Sequence, residues 1–152
     1  MVEKKSKMRS IIPVFVLFIF NNSICFAIDN PDSINLIQIF KDKASTYLNL
    51  IDNPKNTNKD LIRAYHNYHV FLDNELNNAY QTLTKHLPFN QKKELIESQR
   101  KWLKYRDSEI IFINNNWNRK QFGSSAINSR GDYQSKIIEN RIIQLLFYAQ
   151  NY

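Results

Sequence analysis

The sequence predicts an all-α protein, namely a small antiparallel bundle of about four helices that follows a signal peptide. Only two glycines and four prolines occur in 152 residues, so the chain is poor in the residues that tight turns require. Apolar residues recur at spacings of three and four over long stretches, which is the period of an amphipathic helix. A basic start followed by a short apolar run predicts the signal peptide.

Residues 1–27 have the three parts of a secretory signal peptide. Residues 1–9 carry four basic side chains and one acidic one, residues 11–20 are apolar, and Ala27 closes a short cleavage segment. The apolar run is shorter than the roughly 20 residues that span a bilayer as a helix, so cleavage after Ala27 is favoured over an uncleaved N-terminal anchor. We therefore expect an exported protein, periplasmic or secreted, with no stable membrane span after processing.

The only cysteine, Cys25, lies in the segment that cleavage would remove. Its lipidation is disfavoured, because residues 22–24 lack the leucine and small residues of a lipidation site. The mature chain is thus expected to have no disulfide, no thiolate metal site and no cysteine nucleophile. Processing would also lower the formal charge from +7 to +4, since it removes four basic residues and one acidic residue. That charge is typical of a solvated surface and argues against a nucleic-acid partner.

The mature chain divides into residues 28–57, an N-terminal helix with a linker, and residues 58–152, a helical domain. A helix is predicted from Ser33 to Ile51, before the break at Pro54. The apolar face of this first helix consists of Ile37, Phe40, Ala44, Tyr47, Leu48 and Ile51.

The second helix is predicted from Asn58 to His86 or Leu87, and Thr57 and Asp60 have the spacing of a capping box at its start. Its apolar stripe keeps helical phase over seven turns. The stripe consists of Leu61, Tyr65, Tyr68, Leu72, Leu76, Tyr80, Leu83 and Leu87.

A third helix is predicted from about Gln91 to Asn114, with Asn90 as its cap, and a fourth from about Asp132 to Ala149. The segment from Asn114 to Gly131 between them is predicted to be a loop. The inner face of the third helix consists of Leu95, Gln99, Trp102, Arg106, Ile110 and Ile113. That of the fourth consists of Ile137, Ile138, Arg141, Ile142, Leu145, Leu146 and Tyr148.

Polar side chains interrupt these inner faces and predict a polar cluster between helices. We expect Arg106, together with Arg141, to meet Asp73 and Asn77 across an antiparallel pair, because a guanidinium can bond a carboxylate through two parallel contacts. The predicted cluster consists of Asp73, Asn77, Gln99, Trp102, Tyr105, Arg106 and Arg141. An ion-pair network that sets helix register is favoured over a catalytic acid or base, since no nucleophile stands beside a base.

Three residues of the second helix have an alternative interpretation as metal ligands. His66, His69 and Asp73 share one face, but zinc-binding helices pair histidines four residues apart and take a further ligand from elsewhere. Surface or core-edge histidines are the favoured interpretation. We expect no metal and no cofactor.

The spacing of the polar residues resembles a known family. The second helix contains Asp73-x-x-Leu76-Asn77-x-x-Tyr80-x-x-Leu83, and the third contains Leu95-x-x-x-Gln99-x-x-Trp102-x-x-Tyr105-Arg106-Asp107. With Gly123-Ser124 and Arg141, these motifs resemble the lysozyme inhibitor LprI-like N-terminal domain family over roughly residues 58–146. The resemblance implies a small exported helical protein, in one branch a lysozyme inhibitor. The cysteines that members carry near Ala64, Ile110 and Tyr133 are absent, and Ile138 replaces a common threonine.

We therefore expect a non-enzymatic binding protein whose first candidate target is a lysozyme-type peptidoglycan hydrolase. Binding residues concentrate on loops that a rigid scaffold holds, so the loop before the last helix is the predicted contact surface. Its candidate binding residues are Trp117, Arg119, Phe122, Gly123 and Ser124. The charge of +4 gives no long-range attraction to a basic lysozyme, although Asp107 and Glu109 could attract one locally. The alternative is an envelope module that binds cell-wall polymer or another protein, and an enzyme using Asp73 or Glu97 ranks last.

Overall fold

Five helices and no strand occur in residues 34–152, which are the residues that the computed structural model describes. The helices are α1 (Leu36–Ile51), α2 (Asn58–His86), α3 (Phe89–Asn116), α4 (Arg119–Phe122) and α5 (Ser125–Gln150). The all-α prediction is confirmed. The predicted signal peptide, with Cys25 and the cleavage site at Ala27, lies outside the described residues.

Local sequence sets where α2 and α3 begin. Thr57 and Asp60 form the predicted capping box, in which each side chain accepts a 3.2 Å hydrogen bond from the other residue's backbone N–H. The prediction that Asn90 caps α3 is wrong. Pro88 occupies the cap position with φ −61° and ψ 160°, and α3 begins at Phe89. Proline has no N–H to satisfy and a preset φ, so the helix starts directly after it.

The long helices alternate in direction along the chain, as expected for an antiparallel bundle. Stacked rings pair Phe40 with Phe71 and Tyr47 with Tyr68, so α1 runs against α2. Hydrogen bonds from Gln134 to Asn114 and from Tyr152 to Gln91 show that α5 runs against α3. The contacts of Tyr65 with Asp132 and of Tyr68 with Glu139 show that α2 and α5 run parallel to each other.

The contact between α2 and α5 is the main packing interface. Along it, the Tyr65 hydroxyl donates to Asp132 Oδ1 at 2.6 Å and the Tyr68 hydroxyl donates to Glu139 Oε1 at 2.7 Å. Burial and these carboxylates raise the pKa of both tyrosines, so both hydroxyls stay protonated and donate. The buried tyrosines therefore keep hydrogen-bond partners inside an otherwise apolar interface.

Helices α1, α2 and α5 share one hydrophobic core, and α3 packs mainly against α5. The predicted stripe of α2 is confirmed. The prediction is wrong for two residues of the other inner faces, Leu48 and Tyr148, which lie on exposed sides of their helices. The core consists of Phe40, Ala44, Ile51, Tyr65, Tyr68, Leu72, Leu76, Ala79, Leu83, Leu87, Leu95, Ile138, Ile142, Leu145, Leu146 and Ala149. Within residues 34–152, no helix has both the length and the apolar character needed to cross a membrane.

The predicted loop from 114 to 131 is wrong over most of its length. Here α3 continues to Asn116, α4 makes one turn, and α5 starts at Ser125 rather than near Asp132. Gly131 is buried inside α5, at a point where an added Cβ would overlap the Tyr65 ring. The glycine therefore serves close packing of two helices, and it does not break one.

Candidate functional site

Arg141 is the most deeply buried charge in the described residues, with only 7 % of its surface exposed. Its Nε donates to Gln99 Oε1 at 2.9 Å, its Nη1 to Gln144 Oε1 at 2.6 Å, and its Nη2 to Ser98 Oγ at 3.3 Å. Its guanidinium carbon lies 5.8 Å from the centre of the Trp102 ring. Burial lowers the pKa of this guanidinium from its usual value. These contacts attach α3 to α5.

Arg106 lies one helical turn after Trp102 on α3 and contacts α2 only weakly. Its Nη1 is 3.9 Å from Asp73 Oδ1, while Nε and Nη2 donate to Asp107 Oδ1 at 3.0 and 2.8 Å. The Arg106 side chain is 22 % exposed, whereas Asp73 and Asp107 are about three-fifths exposed. Asn77 is exposed and forms no side-chain hydrogen bond within residues 34–152. The structure thus brings Asp73 to Arg106 but leaves Asn77 and the largely exposed Tyr105 outside this cluster.

The histidines of α2 are not arranged as a metal site in the described structure. A ring nitrogen of His69 lies 3.1 Å from Ser135 Oγ, and burial lowers the pKa of this imidazole. Over residues 34–152, no three His, Cys, Asp or Glu side chains come together as metal ligands would. His69 is therefore part of the polar contact between α2 and α5.

The corner between α3 and α5 is a structured projection, which we call the α4 tip and define as residues 117–124. Asn118 caps α4, accepting a 3.1 Å hydrogen bond from the Gln121 N–H and donating to the Asn115 carbonyl at 3.1 Å. Ser125 Oγ donates to the Phe122 carbonyl at 2.6 Å, which joins the tip to α5. Side-chain hydrogen bonds therefore join the tip to the end of α3 and the start of α5.

Aromatic packing and one glycine complete the α4 tip. The Trp117 ring meets Phe112 and Tyr133 edge-on, with ring centres 5.8 and 5.0 Å apart. Gly123 has φ +59°, a backbone conformation that side chains disfavour, and its N–H donates to the Arg119 carbonyl at 2.9 Å. The glycine reverses the chain between α4 and Ser124, so that α5 can start at once.

The outer surface of the α4 tip is basic and partly apolar. Arg119 and Lys120 are exposed, and 45 % of the Phe122 surface is exposed. No acidic residue occurs from 110 to 131, whereas three basic residues do, the third being Arg130. This segment of the chain therefore has a local positive charge.

Both the α4 tip and the Arg141 contacts fall in a region that a family model recognises. The model described as lysozyme inhibitor LprI matches residues 52–145. The chain belongs to the LprI family. Within LprI, the positions near Ala64, Ile110 and Tyr133 are where we expected cysteines, and the chain keeps this helical fold without them. No curated protein and no solved structure matches the chain.

Sequence reasoning missed two parts of these sites. It did not find Ser98 and Gln144 as partners of Arg141, although Gln144 lies three residues after Arg141 on the same helix. It also missed α4. The signal was present, since Asn118 and Gln121 have the three-residue spacing that places a capping side chain beside the third backbone N–H.

Proposed function

We propose that this chain inhibits a lysozyme-type hydrolase by inserting the α4 tip into the substrate cleft of the enzyme. Membership of the LprI family, which is described as a lysozyme inhibitor family, supports a protein partner of this kind. The observation that carries the proposal is the tip itself, a projection held by hydrogen bonds that presents Arg119, Lys120 and Phe122.

The local charge of the tip favours it over the rest of the surface as the part that contacts the hydrolase. Glycoside hydrolases generally use a pair of carboxylates that flank the bond to be cut. A cation placed between them gains charge-assisted hydrogen bonds that a neutral loop cannot make. Arg119 and Lys120 offer such cations, and neither forms an ion pair with a carboxylate of residues 34–152. Local complementarity of this kind does not need opposite net charges on the two proteins.

Rigidity of the tip also favours binding. A flexible loop loses conformational entropy when it is held in a cleft, at roughly 0.5–1.5 kcal/mol for each ordered side chain. The cap at Asn118 and the bond from Ser125 order the tip before it meets a partner. Phe122 then supplies the apolar contact that typically anchors an interface.

The first experiment measures lysis of bacterial cell walls by lysozyme with increasing amounts of the protein. The double variant Arg119→Glu, Lys120→Glu should weaken inhibition by roughly 30-fold or more, since truncating one partner of a buried charge pair costs about 2–5 kcal/mol. The matched control is Lys41→Glu, Lys85→Glu, which makes the same charge change on exposed positions of α1 and α2 away from the tip. Equal loss in both double variants would refute insertion of the tip.

A second arm separates enzyme inhibition from coating of the wall. With a soluble chitooligosaccharide as substrate there is no wall to cover, and inhibition by the tip should persist. Protection of cell walls without protection of the soluble substrate would overturn the proposal and support the envelope module that binds wall polymer. Export is proposed with the inhibition, and it predicts a mature protein that begins at Ile28 when the whole chain is expressed. Mass spectrometry of the exported fraction tests this.

A further inference from the structure

A groove runs between α3 and α5 on the side of the bundle where Arg141 is buried. Its volume is about 550 Å³, which is in the range of small-molecule sites. It is lined by Trp102, Tyr105, Ile137, Asn140, Arg141, Ile143, Gln144 and Phe147. Arg141 is the one charged residue in this lining.

Arg141 lacks a counter-ion, which is unusual for a charge at this depth. It forms no ion pair with any carboxylate of residues 34–152. The partners it does have, Gln99, Gln144 and Ser98, are neutral and take up three of the five N–H bonds of a guanidinium. Two N–H bonds remain without an acceptor in the described structure. A buried charge without a pair is costly, and an anionic ligand would compensate it.

The rest of the lining indicates what the anion is attached to. Trp102, Tyr105 and Phe147 offer aromatic surface, and Tyr105 and Phe147 are each more than half exposed. Asn140 is exposed and its amide forms no hydrogen bond within residues 34–152, so it can donate to and accept from hydroxyl or acetamido groups. Aromatic faces next to amides suit a ring that has both an apolar face and polar edges.

We propose that the groove between α3 and α5 binds an acidic sugar, with its carboxylate on Arg141 and its ring against Trp102 and Tyr105. The guanidinium fork matches the two oxygens of a carboxylate. The neighbouring amide of Asn140 contacts the ring substituents. This site shares no residue with the α4 tip, so the sugar-binding proposal can be tested independently of the inhibition of a hydrolase.

The test follows the Trp102 indole N–H of the full protein by NMR during titration with N-acetylmuramic acid and with glucuronic acid. The variant Trp117→Phe assigns the signal, because the chain has two tryptophans. Either acid should cause a saturable shift, and neutral N-acetylglucosamine should bind about 10- to 100-fold more weakly, as expected for loss of hydrogen bonds to a charge. No saturable shift at roughly 10 mM of either acid, or equal binding of the neutral sugar, would overturn the proposal.

Three variants test the residues, and the first two replace only exposed side chains. Asn140→Asp places a negative charge on the exposed wall of the groove and should weaken binding of the acid by about tenfold or more. Asn128→Asp makes the same change at an exposed position of α5 outside the groove and should leave binding unchanged. Equal effects of the two variants would show that only net charge matters, and would refute the site. Arg141→Lys keeps the charge but not the fork, and should also bind the acid more weakly while the neutral sugar is unaffected.

Discussion

Replacing Gly131 with alanine tests the packing of α2 against α5 most directly. The new Cβ would overlap the Tyr65 ring, and the ring cannot tilt away without losing its 2.6 Å hydrogen bond to Asp132. Overpacking costs about 1–3 kcal/mol and the lost bond to a carboxylate about 1.5–3 kcal/mol. The higher helix propensity of alanine compared with glycine offsets about 1 kcal/mol of this loss. We expect a net loss of about 1.5–5 kcal/mol, or roughly 5–20 °C in Tm.

Thermal and denaturant unfolding followed by circular dichroism measures this loss, and a second substitution identifies its cause. In a Tyr65→Ala background the ring is gone, so Gly131→Ala should be neutral or stabilising. Asn128→Ala, on an exposed turn of the same helix, should change stability by no more than about 0.5 kcal/mol. If Gly131→Ala leaves Tm unchanged or raises it in the otherwise unmodified chain, the close approach of the two helices is refuted.

Three further changes test the ends and the interior of α2. Thr57→Ala should lower the free energy of unfolding by about 1 kcal/mol through loss of the helix cap, as measured by urea unfolding. Tyr68→Phe should lower it by about 1–2 kcal/mol, because Glu139 loses its 2.7 Å hydrogen bond. Burial holds the pKa of His69 below its ordinary value of 6.5, so the unfolded chain takes up a proton first and stability should fall as the pH drops below about 6.5. In His69→Gln this part of the pH dependence should disappear.

Periodic and local signals were enough to predict most of the fold. The stripe of α2 and the capping box at Thr57 depend on residues close in sequence, and both appear as predicted. The breaker at Gly131 was misjudged for a physical reason. Glycine interrupts helices on average, but here the absence of a side chain allows the Tyr65 ring to pack closely, and this tertiary contact outweighs local propensity.

The polar cluster shows the other limit of sequence reasoning. The polar face of α3 was predicted correctly as a face, since Gln99 and Trp102 are partly buried. Its partners were predicted only in part, because helical period gives the side that is inward and not the neighbour that covers it. Gln99 accepts a hydrogen bond from Arg141 on α5. The polar face of α3 approaches α2 through the 3.9 Å contact between Arg106 and Asp73. Which helices meet depends on packing angles that the pattern does not encode.

The parallel pairing of α2 with α5 has a consequence for how the chain matures. The apolar stripe of α2 receives its main cover from α5, which is synthesised after α2 and α3. Until Leu145 and Leu146 leave the ribosome, Leu72 and Leu76 have no complete surface against which to pack. The bundle therefore cannot close before α5 has been synthesised, and until then the nascent α2 keeps an unpacked apolar face.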